Sequence, residues 1–300
     1  MKKFFFIAVC LILLVSGVFY FKNLQGKNPG LQNIARGVEN AAKPLVVILS
    51  PHFDDGVLSL GGIMAKRKNE FLVATFFTGR PTEIVHTEWD KISGFSDSDE
   101  AMFARTKENE NALKPFNTII KNYDYPDFQY RKDGINRRED PEIRDKIGKD
   151  IETLIKTYPD RELFIYGPAT FGKKITHPDH QIVHDAFMDV WKKNIQPHAH
   201  FLIYEDFPYV LRFANSGLGS LNAYLEKTES MKLKENRIRL NQSELLEKIA
   251  SIDMYKSQIK ALSASLKDND INSLIANFYN KRCKILILFS YACEVAYSSL

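Results

Sequence analysis

Pro44 opens a run of five consecutive apolar residues, Leu45-Val46-Val47-Ile48-Leu49, which ends at Ser50-Pro51-His52. No polar residue interrupts it, so a strand here buries both of its faces. That is the pattern of a central strand in a parallel sheet covered by helices. Phe71 to Phe77 repeats the pattern and stops at Thr78-Gly79, Thr118-Ile119-Ile120 offers a third strand, and Leu163-Phe164-Ile165-Tyr166 and His200 to Tyr204 offer two more. Helical periodicity fills the gaps. Asp55 to Lys68 sets Val57, Leu60, Ile63 and Met64 on one side, and residues 98–114 turn Met102, Ala112 and Leu113 inward. In 141–157, Ile143, Ile147, Ile151 and Ile155 recur every four residues, and a helix follows from about His180 to Lys193. Strand and helix alternating at this pace predict an α/β fold with right-handed crossovers. Beyond about 210 the pattern changes: residues 229–267 are rich in lysine and glutamate and helical in period, with 229–249 read as a solvated helical face, and 283–297 read as a closing helix or strand.

Upstream of this domain, Met1-Lys2-Lys3 precedes 18 uncharged residues, Phe4 to Phe21, and Lys22 ends them. A positive start and an apolar stretch read as a signal peptide or signal anchor, at the short limit for crossing a bilayer. Residues beyond a cleavage point at Val15-Ser16-Gly17 stay apolar, which favours an uncleaved anchor. The expected layout is an anchor or signal at 1–21, a tether at 22–43 and a domain at 44–300, exported or held at the membrane with the domain outside the cytoplasm. Lysine and arginine total 41 against 37 aspartates and glutamates, and the net charge of +4 is not clustered, so nucleic acid is not the expected partner. Three cysteines, at 10, 283 and 293, exclude a disulfide scaffold and a Cys-x-x-Cys zinc site. On one helix Cys283 and Cys293 would stand about 15 Å apart, too far to bridge.

Any metal must therefore be held by histidine and carboxylate. His52-Phe53-Asp54-Asp55 falls where the first buried strand gives way to a helix, the edge at which open α/β sheets bind ligands. Burying a histidine and two aspartates there is costly unless something compensates their desolvation, and a divalent ion would. An aspartate helix cap with an incidental histidine is the plainer alternative. His177-Pro178-Asp179-His180 lies at an analogous edge. Ligation by His52, Asp55 and His180 leaves a fourth position open for water, as in catalytic zinc sites, and leaves Asp54 free to act as a base. His198 and His200 read as surface residues. His184 reads as helix surface or as a neighbour of the ligands, since the glutamate of a zinc-protease helix is absent.

The pair PHFDDGVLSLGG at 51–62 and THPDH at 176–180 resembles the PIG-L/LmbE-like deacetylases, with their Pro-His-x-Asp-Asp and His-x-Asp-His motifs. Arg105-Thr106-Lys107-Glu108, Tyr125-Pro126-Asp127, Glu205 to Tyr209, and Lys248 with Tyr255-Lys256-Ser257-Gln258 are similar to further family stretches, so the likeness spans roughly 44–295. The resemblance implies a Rossmann-like, mostly parallel sheet flanked by helices and zinc-dependent removal of an acyl group, usually acetyl, from an amino sugar or glycoconjugate. It implies that His52, Asp55 and His180 hold the metal and that Asp54 is the general base. It also implies that a protonated His177 steadies the tetrahedral intermediate and that Arg105 and Asp127 lie near the sugar. A salt bridge from Arg105 to Glu108 or Glu110 within its own helix is the alternative there. The same ligands also suit iron or another divalent ion. Gly56 stands where the family often has glutamate. Two other readings compete: a metal-dependent amidase of another conjugate, and a non-catalytic carbohydrate-binding protein. The complete set of ligands and base argues against the second.

Overall fold

The computed structural model describes residues 43–131, 140–193, 196–268, 270–283 and 292–300. The anchor at 1–21 and nearly all of the tether at 22–43 lie outside the described residues. Among the described residues, no helix is long and apolar enough to cross a membrane.

The chain runs β1 (Leu45–Ser50), α1 (Asp55–Ala65), β2 (Glu70–Thr75), α2 (Glu88–Ser93), α3 (Ser98–Leu113), β3 (Ile119–Asn122), α4 (Pro141–Thr157), β4 (Leu163–Pro168), α5 (Pro178–Lys193) and β5 (Ala199–Tyr204). Then come α6 (Tyr209–Ala214), α7 (Leu221–Glu229), β6 (Leu233–Leu240), α8 (Gln242–Ile252), α9 (Lys256–Leu266), α10 (Ile271–Arg282) and β7 (Ala292–Ser299). The fold is mixed α/β. One seven-stranded sheet has the order β3-β2-β1-β4-β5-β7-β6; its first five strands are parallel, and β7 pairs antiparallel with both β5 and β6.

Every residue of β1 is buried, as its uninterrupted apolar run requires, and Val47 sits between Leu72 of β2 and Ile165 of β4. Local chemistry sets the helix starts. Asp140 caps α4 by accepting from the Ile143 amide, with Pro141 in the first turn, where a missing N–H costs nothing. Asn241 and Glu244 form a reciprocal capping box at α8. In α4, Ile147, Ile151 and Ile155 are buried, which satisfies the four-residue spacing. From β1 the chain crosses to β2 on one side, and from β4 to β5 on the other. The C-terminal ends of β1 and β4 therefore flank the crevice where the order reverses, and His52 to Asp55 and His177 to His180 follow those two ends.

Two expectations need correcting. The charged stretch after 229 is not all helix: Leu233–Leu240 is an edge strand, with Asn236, Ile238 and Leu240 turned inward between exposed Glu235, Arg237 and Arg239. Charges along an edge strand discourage pairing with other chains, and here they hid the period of two. Cys283 and Cys293 also do not share a helix. Cys283 follows α10, Cys293 lies in β7, and their Cα atoms come within 5.1 Å in a disulfide.

Candidate active site

A cavity of about 410 Å³ opens at the crevice, its floor formed by His52, Asp54, Asp55, Asp127, His177 and His180. That volume falls in the range of small-molecule sites. His52 Nδ1, Asp55 Oδ2 and His180 Nε2 form a nearly equilateral triangle, with edges of 3.3, 3.2 and 3.2 Å. The opposite ring nitrogens are committed elsewhere. His52 Nε2 donates to Asp179 Oδ2 at 3.0 Å, and His180 Nδ1 donates to Asp206 Oδ2 at 2.6 Å. In their neutral forms both imidazoles therefore aim a lone pair at the carboxylate and at each other, an arrangement only a cation relieves.

Protons play that part in the free protein. Burial alone would lower His52, but Asp127, Asp179 and Asp55 outweigh it and raise it well above its ordinary value. Against the same burial, Asp206 and Asp55 raise His180 to about 10. Burial would raise Asp55, yet His180 and His52 hold it well below the usual carboxylate range. A small divalent ion with tetrahedral bonds of about 2.0–2.1 Å would set its ligand atoms roughly 3.3 Å apart, so the triangle fits one. Asp179 and Asp206 supply the carboxylates that orient ligating histidines in such sites.

Asp54 stands beside the triangle and lines the cavity. Burial and the neighbouring Asp55 charge raise its carboxyl to about 7, against the pull of His52. A carboxylate poised near neutrality suits general base work. His177 accepts the Asp179 amide on Nδ1 at 3.3 Å, which leaves the proton on Nε2. Burial, together with the His52 and His180 charges, lowers it to about 4 despite Asp179. In the metal-free protein the ring is thus a neutral N–H donor at neutral pH.

Arg105 is buried and lines the cavity, but its partner is Asp90 on α2, at 2.7 Å, and not a glutamate of its own helix. Tyr130 completes that network by donating to both Asp90 oxygens at 3.0 and 3.1 Å. Asp127 lines the cavity 4.0 Å from His52 Nε2 and accepts from Gln129. A side chain at Gly56 would meet Ile48 and Ser50 at 3.2 and 3.3 Å. Its amide donates to Ser50 Oγ, which in turn donates to the His52 carbonyl. His184 corrects its expectation. It is fully buried on α5, pairing with Glu229 and the Pro168 carbonyl, and belongs neither to the surface nor to the ligand surroundings. His200 is exposed against Glu162, as expected.

Sequence reasoning passed over several supports. Asp179 and Asp206 lie inside quoted motifs, so only the identity of their partners was hidden. Arg131, on Asp179, carries no signal of its own. The stretch around Lys248 and Tyr255 gains a physical meaning. Tyr255 donates to the Phe53 carbonyl at 2.9 Å, Ser257 binds Glu108, and Gln258 lines the cavity.

Residues 47–191 match the family described as PIG-L: GlcNAc-PI de-N-acetylase, a span that includes both histidine motifs. No curated protein matches the sequence. Among solved structures, the zinc-inhibited form of teicoplanin deacetylase Orf2 is 21% identical, with a TM-score of 0.67 over 85% of this chain and 98% of its own. The A40926 pseudoaglycone deacetylase Dbv21 is 20% identical, with a TM-score of 0.65 over 87% and 98%. N,N'-diacetylchitobiose deacetylase from Pyrococcus horikoshii is 15% identical, with a TM-score of 0.51 over 84% of each chain. At these identities the likeness speaks to the fold, and the histidine motifs fall within the family match. This chain carries a PIG-L family domain.

Proposed function

We propose that this protein is a metal-dependent N-deacetylase that hydrolyses the N-acetyl amide of an amino sugar or glycoconjugate and releases acetate. The observation that carries it is the triangle of His52, Asp55 and His180, with Asp54 beside it on the cavity floor. The family description and the deacetylases that share the fold agree with it. Zinc suits the two-imidazole, one-carboxylate donor set and three-ligand geometry. When bound, such an ion polarises the amide carbonyl and lowers the pKa of water to about 7.

The chain's own residues do the rest. Asp54 takes a proton from the attacking water and returns it to the departing nitrogen, which an amide needs before it can leave. His177 offers its Nε2 proton to the developing oxyanion. Arg105 and Asp127 bracket the sugar, and Trp89, also on the cavity wall, gives the ring an apolar face. Asp179 and Asp206 keep the ligating nitrogens aimed inward. We extend the reading to location: a domain outside the cytoplasm, held or exported through residues 4–21. The uncharged run supports this, as does a disulfide that persists best in an oxidising compartment.

The test is the metal content of the full-length chain, wild type against a His52→Ala/His180→Ala variant, alongside acetate release from N-acetylglucosamine derivatives. One equivalent of metal, lost in the variant, with acetate released by wild type, is expected. A folded wild-type chain that takes up no metal overturns the reading.

A further inference from the structure

The two histidines of the triangle are backed differently. Asp206, behind His180, meets no arginine or lysine among the described residues, and its Oδ1 has no partner there. Asp179, behind His52, is wholly buried and accepts from His52 Nε2 at 3.0 Å, from the Phe128 amide at 2.9 Å and from Arg131 Nη2. The Arg131 side chain is itself 6% exposed. Its guanidinium lies over the rings of Phe77 and Phe128, at 5.3 and 5.4 Å from their centroids. Its Nε and Nη1 find no partner, so Asp179 is its one polar commitment among the described residues. It is not among the residues that line the cavity.

An arginine buried for one hydrogen-bonded carboxylate is expensive unless that carboxylate must be held charged and still. What Asp179 holds is His52. The Nε2–H···Oδ2 bond fixes the tautomer that turns the Nδ1 lone pair toward Asp55 and His180. Without Arg131 the carboxylate keeps two neutral donors but loses its counter-charge in a dry site, and its grip on the ring weakens. Lysine carries the charge but lacks the planar fork and the stacking surface that lie between Phe77 and Phe128.

We propose that Arg131 is a positioning residue for the metal centre: it anchors Asp179, which aims His52 at the ion and strengthens it as a ligand. This rests on the metal reading above. The experiment measures zinc affinity of the full-length chain by chelator competition, with circular dichroism to establish the fold and the visible spectrum of the cobalt(II)-loaded chain as a report on ligand geometry. Arg131→Met should weaken zinc binding by about 10–100-fold, in line with the loss of an orienting partner, and shift the cobalt bands. Arg131→Lys should recover part of the affinity, and it carries the test alone if the Met variant does not fold. Asp179→Asn should weaken binding to a similar degree, and adding Arg131→Met to it should cost little more, because the two act through one bond. Full additivity, or a folded Arg131 variant with wild-type affinity and spectrum, overturns the proposal while leaving the metal site standing. A wild-type chain that binds neither zinc nor cobalt removes the site and the proposal together.

Discussion

At the residue scale, Asp54 and Asp55 share a peptide bond but not an environment. Asp55 faces two imidazoles and is held ionised; Asp54 faces the cavity, and burial beside a second carboxylate pushes it to about 7. One is placed to ligate, the other to move a proton. Asp54→Asn should therefore retain metal within a few-fold and lower kcat by about 10²–10⁴-fold, the usual contribution of a positioned base. Metal analysis and initial rates on the same preparation check both halves. The raised His52 and His180 make a second prediction. Metal must displace protons that Asp179, Asp206 and Asp55 help these rings to keep, so affinity should fall as pH falls and binding should release protons. Calorimetry in two buffers of different ionisation enthalpy should give different heats; equal heats would show that the ligands are not these imidazoles.

At the element scale, the helix α1 that begins at Asp55 is fixed from behind by a buried ion pair. Glu294 of β7 accepts the Gly62 and Ile63 amides at 2.7 Å each, and Lys248 of α8 meets Glu294 at 2.7 Å beneath the Tyr279 ring. Only glycine allows this approach: a Cβ at Gly62 would fall 2.2 Å from Leu240 and 2.8 Å from Glu294. Lys248→Met should cost about 3–5 kcal/mol in urea unfolding, because it leaves a buried carboxylate without its cation. Lys248→Met with Glu294→Gln should cost less than the single change. A single variant as stable as wild type would mean the pair contributes nothing. The strand β6 shows the limit of element-scale reading. Its alternation is clear once Leu240 is known to pack on Gly62, but charges on an edge mask it in the sequence.

At the scale of the whole molecule, β7 is the last strand in sequence but lies between β5 and β6, and the disulfide ties its start to the end of α10. Arg282, beside Cys283, pairs with Glu205, and Glu205 precedes the Asp206 that orients His180. The closed loop is short, so loop entropy sets its contribution at about 2–3 kcal/mol. Replacing both cysteines by serine should lower unfolding stability by that amount, and reductant should do the same to the wild type. No change on either treatment would show that the bond does not form in the protein.

Much of the fold and the site was legible along the chain. The continuous apolar runs of β1, β2 and β4 mark strands buried on both faces, and Ile147, Ile151 and Ile155 share one buried side of a helix, so the centre of the sheet and its helices follow from local periodicity, whereas β3, exposed along its whole length, carries only the short signal of Ile119-Ile120. The two histidine motifs were legible for the same reason, since each occupies a short strand-to-helix edge. What no local pattern carries is partnership across the sheet. That His52 meets Asp179, that His180 meets Asp206, that Arg105 turns to Asp90, and that Arg131 and Glu294 serve elements far from them in sequence depends on strand order and on which side chains are left to share a dry interior. The sequence determined the elements and the reactive groups through propensity and period; tertiary structure alone decided the pairings, because burial makes each of those groups require a counterpart that chain spacing does not specify.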